Sequence, residues 1–254
     1  MALSKKSEDF LDNLRVYLFA SGKNDREVNE IVGELEDHLI LAEKNGKTVD
    51  DVIGESPKEY MKQIAGEMGN DYKTWMKYIP MIILGVFSYV ILGDDARGGI
   101  HYTYMELFGY PVVTLFLLLL SLAFYKFMAS HQFSKSKAIM LYALLSVISV
   151  GSYLCILLLK NAFGQAVVNF GVAGNITAAA ISYLFLIGIS IWSKTWFSIL
   201  IPVMLYLPEL IFNFTSFSEE AKSIAPSAVS FLLVVIYLLY TMRKLNREKV
   251  KVND

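Results

Sequence analysis

The sequence predicts an all-α membrane protein, in which a small three-helix cytoplasmic domain precedes a polytopic bundle of about six transmembrane helices. Apolar residues make up 55% of the 254-residue chain, and its mean hydropathy is +0.45. This composition is too apolar for a soluble protein that also needs a polar surface. Charge is unevenly divided: residues 1–77 have a net charge of −5 and residues 78–254 a net charge of +4. We therefore expect the first segment in water and the second in a bilayer.

Amphipathic patterns predict the helices of the N-terminal domain, residues 1–75, which we call the head. Apolar residues from Phe10 to Leu18 recur at spacings of three and four, as do those from Val28 to Leu39. Asn24 or Asp25 is expected to cap the second helix. Two apolar faces joined by a short polar turn indicate an antiparallel helix pair.

A capping motif marks the third helix of the head. Ser56-Pro57-Lys58-Glu59 places a hydroxyl at the cap, proline at the first helical position and glutamate at the third. Tyr60, Ile64 and Met68 follow at spacings of four and form an apolar face. Because three short helices bury little apolar area, we expect the head to be marginally stable alone and to lean on a partner or on the membrane segment.

Four motifs of the head occur in an ordered series. They are FLDNL at 10–14, EIVGELEDHL at 30–39, GKT at 46–48 and SPKEY at 56–60. Through them the first 70 or so residues resemble the HAAS domain, the helix-turn-helix-associated alpha-helical signalling domain of bacterial membrane proteins. The resemblance implies a signalling or regulatory role, often beside PadR-like transcriptional regulators, without implying a particular chemistry.

Six apolar segments are long enough to cross the hydrocarbon core as helices. They form a predicted transmembrane domain over residues 76–242, which a basic tail at 243–254 follows. The tail is interpreted as a topology anchor, with binding to anionic lipids as the alternative. The predicted spans are 76–92, 107–125, 138–159, 172–192, 196–213 and 224–242, the first short and the fifth interrupted by Pro202 and Pro208.

The positions of lysine and arginine predict the orientation in a bacterial cell membrane. With the head inside, the inner loops and tail carry nine basic residues, whereas the outer loops carry three, Arg97, Lys160 and Lys222. Positive loops are retained in the cytoplasm. We therefore expect a multi-pass protein with both termini cytoplasmic.

Two polar residues inside predicted spans are candidates for an intramembrane site. Glu209 is the only carboxylate there, and because a charge in lipid is costly, an ionisable residue inside a span is by default a candidate for a functional site. The alternative interpretation is that Glu209 lies near the outer end of its span and reaches water, or is protonated. Asn175 is interpreted as an interhelical hydrogen-bonding residue rather than part of a transport path.

The second head helix carries the candidate partner-binding surface. Its polar residues are Glu30, Glu34, Glu36, Asp37 and His38. Glu34 and His38 share a face at i,i+4, which is weak metal-binding geometry, but a solvated or partner-facing cluster is favoured. We predict no metal site. The net charge of the head repels phosphate, so direct nucleic-acid binding is not expected.

No nucleotide-binding, zinc-protease or serine-hydrolase motif occurs in the chain, so we expect neither an enzyme nor a cofactor. The leading hypothesis is a signalling or regulatory protein that contacts a cytoplasmic or membrane protein, possibly a PadR-like regulator, through its head. The alternatives are a small transporter or permease subunit, with a path near Glu209, Pro208 and Asn175, and a scaffold for another membrane complex. No convincing internal repeat supports the transporter.

Overall fold

A computed structural model describes residues 3–97, 99–163, 168–169 and 171–253, and it confirms the predicted all-α class. Within these residues the only strands are β1 (His101–Tyr102) and β2 (Val168–Asn169), which pair antiparallel. The head contains α1 (Lys5–Ala20), α2 (Asp25–Lys44), α3 (Val49–Ile53) and α4 (Pro57–Glu67). The following helices are α5 (Tyr72–Ala96), α6 (Tyr104–Ala129), α7 (Lys135–Phe163), α8 (Gly171–Ser193), α9 (Phe197–Asn213) and α10 (Glu219–Asn253).

Side-chain caps fix where the head helices begin. The Asn24 side chain accepts hydrogen bonds from the first amides of α2, and Ser56 accepts one from Glu59 at the start of α4. Thr48 and Asp51 form a reciprocal capping box on the short α3. These groups satisfy amides that have no partner within the helix. The caps predicted at Asn24 and Ser56 are therefore confirmed.

One apolar cluster forms the core of the head. Leu14, Leu18 and Leu39 are fully buried between α1 and α2, as the apolar patterns predicted. On α4, however, the buried residue is Met61, 1% exposed, while the predicted residues Tyr60, Ile64 and Met68 lie at the margin of the core. The predicted apolar face of α4 is therefore about one residue off centre, and α3, which adds Val49 and Ile53, supplies part of the core instead.

Five helices are long and apolar enough to cross a membrane. They are Tyr72–Ala96, Tyr104–Ala129, Lys135–Lys160, Gly171–Ser193 and Ile224–Arg243. The predicted fifth span corresponds to α9, which has 17 residues and contains Pro202 and Pro208. At 1.5 Å per residue such a helix is about 25 Å long, the lower limit for a span. Apolar side chains on these helices are widely exposed, as expected of surfaces that face lipid.

The chain divides into two compact units. Unit 1 comprises residues 1–80 and 112–155, and unit 2 comprises residues 81–111 and 156–254. Two of the boundaries fall beside Pro80 in α5 and Pro111 in α6. The helices α5, α6 and α7 each have residues in both units, so the chain links the head to unit 2 through helices rather than loops.

The interior of unit 2 is narrow and contains tyrosines. Leu92, Ala179 and Leu186 are buried and form one apolar cluster there. At Gly93 a Cβ atom would lie 2.9 Å from the Tyr206 ring, so the backbone of α5 approaches α9 at a distance only glycine permits. The Tyr206 hydroxyl donates to the backbone oxygen of Tyr89 at 2.8 Å. These contacts position the polar residues that follow at the end of α5.

Candidate functional site

The candidate partner surface of the head is exposed on α2. Glu30, Glu34 and Asp37 lie opposite the buried face of the helix, while Glu36 lies on its flank. His38 is also exposed, and within the described residues it belongs to no group of three or more His, Cys, Asp or Glu side chains that suits a metal.

Leu41 lies on the same face of α2 as Glu30, Glu34 and Asp37, and the sequence analysis did not identify it. The four residues are spaced at i, i+4, i+7 and i+11, which places them in one row along the helix. The Leu41 side chain is 58% exposed. Leu41 therefore adds one exposed apolar side chain to the end of the acidic row on α2.

Unit 1 joins the head to a segment between two membrane helices. We call residues 126–138, where α6 ends and α7 begins, the corner. Ala129, the last residue of α6, is 6% exposed and is part of the apolar core of the head. The Lys126 ammonium lies 5.1 Å from the centre of the Tyr17 ring, a cation–π contact that contributes about 0.5–1 kcal/mol. Burial, and then the Glu59 carboxylate, raise the pKa of Tyr17.

An open cleft of about 1000 Å³ continues from this contact. Its head wall includes Phe10 and Ile53, and its corner wall includes Met128 and Phe133. The corner therefore covers only part of the apolar surface that the head presents. Such a partial contact costs less to separate than a closed core does.

A second set of contacts connects the head to the residues before α5. We call this set and the contact between head and corner the two joints of unit 1. The carboxylate of Asp71 accepts from the Asn24 side chain at 2.7 Å, and the Asp71 amide donates to the Gly22 oxygen at 2.9 Å. Gly22 has a φ of +78°, so the turn between α1 and α2 depends on glycine. The Phe19 and Trp75 rings lie 5.7 Å apart beside it. Hence α5 begins on a surface made by the head.

Acidification is expected to loosen this second joint. Hydrogen bonds from the Thr74 side chain and amide, and then from Asn24, hold the pKa of Asp71 below its ordinary value. A carboxyl whose pKa is lowered by folding stabilises the fold above its unfolded pKa, about 4 for aspartate, and that contribution is lost as the pH falls through the lowered value. In a Trp192→Phe, Trp196→Phe background, the fluorescence of Trp75 should change in a step below about pH 4.

The matched variants of this experiment are Asp71→Asn and Asp25→Asn. The first should remove the step, because an amide does not titrate, and the second should keep it. The pKa values of Asp51 and Glu43 are also lowered, because each carboxylate accepts hydrogen bonds. Any general loss of head structure in acid that these groups cause occurs equally in both variants. A step of the same size in Asp71→Asn would show that Asp71 does not control the joint.

Unit 2 carries a cluster of charged residues that we call the polar cap, residues 94–106 with Lys160, Asn175, Glu209 and Asn213. Lys160 donates to Glu106 at 2.7 Å, and Arg97 donates to Glu209 at 3.1 Å. The Asn213 side chain donates to the oxygen of Ala96 at 3.1 Å. The ends of five helices, α5 to α9, thus contribute residues to the cap.

Glu209, identified from the sequence as an intramembrane carboxylate, therefore has a cationic partner in the structure. Its side chain is 25% exposed and that of Arg97 is 60% exposed. A pair with this much exposure adds at most about 1 kcal/mol of stability. The pair gives Glu209 a partner of opposite charge at the end of an apolar helix.

Glu106 is the most buried charge of the cap, and the sequence analysis did not identify it. It is 2% exposed, and besides Lys160 it accepts bonds from the Thr103 amide and hydroxyl at 2.9 and 3.0 Å. Thr103-x-x-Glu106 is a capping box, a motif visible in the sequence. The motif indicates the start of α6 but not the pairing with Lys160.

Asn175 lies beside the turn that follows α5. A Cβ atom on Gly99, whose φ is +128°, would lie 2.9 Å from the Asn175 amide nitrogen. The Asn175 amide oxygen is buried without a hydrogen-bond partner. The interhelical hydrogen bond expected of this residue is thus not made by its oxygen.

Comparison with protein families decides the identity of the membrane segment. Residues 86–205 match the model of the HAAS transmembrane region. These 120 residues of the 254-residue chain are similar to a HAAS transmembrane region. The similarity agrees with the HAAS resemblance found in the motifs of the head, although it lies on the membrane helices, where no family-specific motif was found.

The residues that match this family model contain most of the polar cap. Asp94, Arg97, Glu106, Lys160 and Asn175 lie inside the matched residues, and Glu209 lies four residues beyond them. No curated protein and no solved structure matches the chain. The comparisons therefore support a multi-pass membrane protein associated with HAAS-type signalling.

Proposed function

We propose that this chain is a bacterial, non-enzymatic signalling protein whose cytoplasmic head binds a second protein through α2. The burial of Ala129, a residue of a membrane helix, in the core of the head supports this proposal most directly. A displacement of α6 changes the surroundings of the head core without any flexible linker between them. The two joints of unit 1 thus provide a path from the membrane helices to the head.

The chemistry of α2 suits a protein partner with a basic rim around an apolar pocket. Leu41 supplies an apolar contact, and Glu30, Glu34 and Asp37 supply negative charge on the same face. Charge of this sign steers a basic partner and repels DNA. The HAAS resemblance adds that a PadR-like regulator is a suitable partner, recognised through protein contact rather than on DNA.

The charges of the polar cap agree with cytoplasmic termini. In this orientation Arg97 and Lys160 lie outside, and both are paired with carboxylates. The other lysines and arginines after residue 78 lie mainly in the corner and the tail, which this orientation places on the side of the head, as the positive-inside rule requires.

Affinity purification of the full-length protein from native membranes tests the proposal. Binding to a purified PadR-like regulator should fall at least tenfold in Leu41→Glu and in the triple variant Glu30→Lys, Glu34→Lys, Asp37→Lys. The matched control is Glu55→Lys, Glu59→Lys, Glu67→Lys, which changes the net charge equally on exposed residues outside α2. An equal loss of binding in the control variant would show that the net charge of the protein, and not the α2 surface, causes the effect. No binding by the wild-type protein would exclude this partner.

The transporter hypothesis places its path near Glu209, Pro208 and Asn175. In the structure Glu209 is paired with Arg97, which gives this carboxylate a structural role that needs no transport path. A scaffold that holds another membrane complex remains compatible with the same α2 surface, and the purification above distinguishes it by the class of protein recovered.

A further inference from the structure

The C-terminal half of α1 carries apolar side chains outside the core of the head. Val16 and Phe19 are three residues apart, which places them on one side of the helix. Both are exposed, Phe19 to 47%, whereas the core residues Leu14 and Leu18 of the same helix are fully buried. We call Val16 and Phe19 the apolar edge of α1.

The apolar edge contacts the start of a membrane helix. The Phe19 ring lies 5.7 Å from the ring of Trp75, which is in the first turn of α5. A Cβ atom on Gly22 would lie 3.6 Å from the Trp75 indole nitrogen, so the indole also rests against the turn between α1 and α2. Because α5 is long and apolar enough to cross a membrane from Tyr72 onward, this contact holds Phe19 where the helix enters the bilayer.

A second contact holds α1 beside the other membrane helix of unit 1. Lys126, in the last turn of α6, lies 5.1 Å from the centre of the Tyr17 ring. Since α5 and α6 are consecutive spans, the start of the first and the end of the second lie on the same side of the membrane. Tyr17 and Phe19 are therefore both held at the level of that membrane surface.

The first two turns of α5 have the composition of a membrane interface. Tyr72 and Met76 are exposed on one face, and Lys73 and Lys77 are exposed on the adjoining face. Aromatic rings and lysines are typical of span ends, because lysine stems cover apolar surface while their ammonium groups reach the headgroups. Residues 71–80 contain these two lysines and one carboxylate, Asp71, which accepts hydrogen bonds within the second joint. The local positive charge suits an anionic lipid.

We propose that the head rests on the anionic lipid surface of the membrane through the apolar edge of α1 and the first two turns of α5. Val16 and Phe19 lie among the headgroups beside Trp75, and Lys73 and Lys77 bind lipid phosphates. A lipid surface fits better than a second protein, because the apolar edge is continuous with the exposed side of a membrane helix. This contact does not depend on the partner of α2.

Tryptophan fluorescence of the full-length protein in vesicles tests the contact. In the background Trp75→Phe, Trp192→Phe, Trp196→Phe, the substitution Phe19→Trp leaves a single tryptophan at the apolar edge. Leu41→Trp in the same background is the matched control, at an exposed apolar position of α2. In vesicles of phosphatidylcholine and phosphatidylglycerol, lipid brominated near the headgroup should quench position 19 about threefold more than position 41. Acrylamide in the water should show the opposite order.

Lipid charge separates a specific contact from simple proximity to the bilayer. In vesicles of phosphatidylcholine alone, quenching of position 19 by brominated lipid should fall. Lys73→Gln and Lys77→Gln should each lower the ratio of membrane-bound to released heads about fivefold in anionic vesicles. The control Lys44→Gln, Lys47→Gln removes the same charge from exposed positions of the head and should leave the quenching unchanged.

Three outcomes would overturn the proposal. A tryptophan at position 19 that acrylamide reaches and brominated lipid does not would show that the apolar edge faces water. Protection from both quenchers would show that protein covers the edge, either a second copy or another segment of this chain. Equal quenching in neutral and anionic vesicles would exclude anionic lipid as the ligand of Lys73 and Lys77. Because the α2 partner is absent from the vesicles, these outcomes are independent of the proposed function.

Discussion

Ala129→Asp is expected to release the head from the corner while the membrane helices stay folded. Ala129 is 6% exposed inside the apolar core of the head. A carboxylate buried there without a partner costs several kcal/mol, on the order of 3 or more. The contact between head and corner buries few side chains and is bordered by an open cleft. Separating the head from the corner therefore exposes the new carboxylate to water at a smaller cost in free energy than unfolding either part.

Hydrogen–deuterium exchange of the full-length protein measures this release. Amides of α1, α3 and α4 should exchange at least tenfold faster in Ala129→Asp, while those in the middle of α6 and α7 should not change. Ser136→Asp is the matched control, because Ser136 is exposed in the first turn of α7, where a carboxylate is favourable. Unchanged exchange of the head in Ala129→Asp would mean that the head does not depend on the corner.

Ala129→Asp also distinguishes two versions of the proposed function, one in which the corner transmits a signal and one in which the chain only anchors the head. If the corner transmits the state of the membrane helices, Ala129→Asp should make partner binding through α2 insensitive to changes in unit 2. If the head is only anchored by the chain, Ala129→Asp should leave partner binding and its dependence on unit 2 as they are. The surface around Leu41 lies on the opposite face of α2 from the core, so the substitution does not touch it directly.

Local patterns were sufficient to predict most of the head. The apolar faces of α1 and α2 and the caps at Asn24 and Ser56 depend on residues within four positions of one another. The burial of Ala129 was not predictable in this way. It is the last residue of α6 and lies beyond the predicted span 107–125, and only the folded chain brings it into the core of the head.

The charge pairs of the polar cap were likewise not predictable from local sequence patterns. The sequence placed Arg97 and Lys160 in outer loops and Glu209 in a span, and each was considered alone. Their pairing joins residues 112 positions apart in one case and 54 in the other, which no local period encodes. The predicted boundaries of the spans also excluded Asp94 and Glu106, which the structure includes in α5 and α6.

The membrane helices were predicted well where the apolar run was continuous. The first span is longer than expected, since α5 runs from Tyr72 to Ala96 and includes charged residues that the hydropathy criterion excluded. The fifth is at the limit of a span, because α9 has 17 residues and two prolines, each of which removes a backbone donor.

Glu106→Ala is expected to destabilise unit 2 by about 3 kcal/mol, because removing one member of a buried ion pair leaves the other without compensation. The estimate is at the low end for buried pairs, since the Lys160 side chain is 32% exposed and regains some water. The Thr103 amide and hydroxyl also lose their acceptor. Reversible unfolding in mixed detergent micelles measures the free energy of unfolding.

The double variant Glu106→Ala, Lys160→Met identifies the cause. If the loss comes from the stranded ammonium of Lys160, adding Lys160→Met should recover about half of it, because no unpaired charge then remains near the buried site. If the loss comes from the capping of α6, the double variant should be as unstable as Glu106→Ala. The pair Arg97 and Glu209 is the comparison: Glu209→Ala should cost at most about 1 kcal/mol, since both groups reach water. A cost for Glu209→Ala equal to that for Glu106→Ala would mean that burial does not set the strength of these pairs.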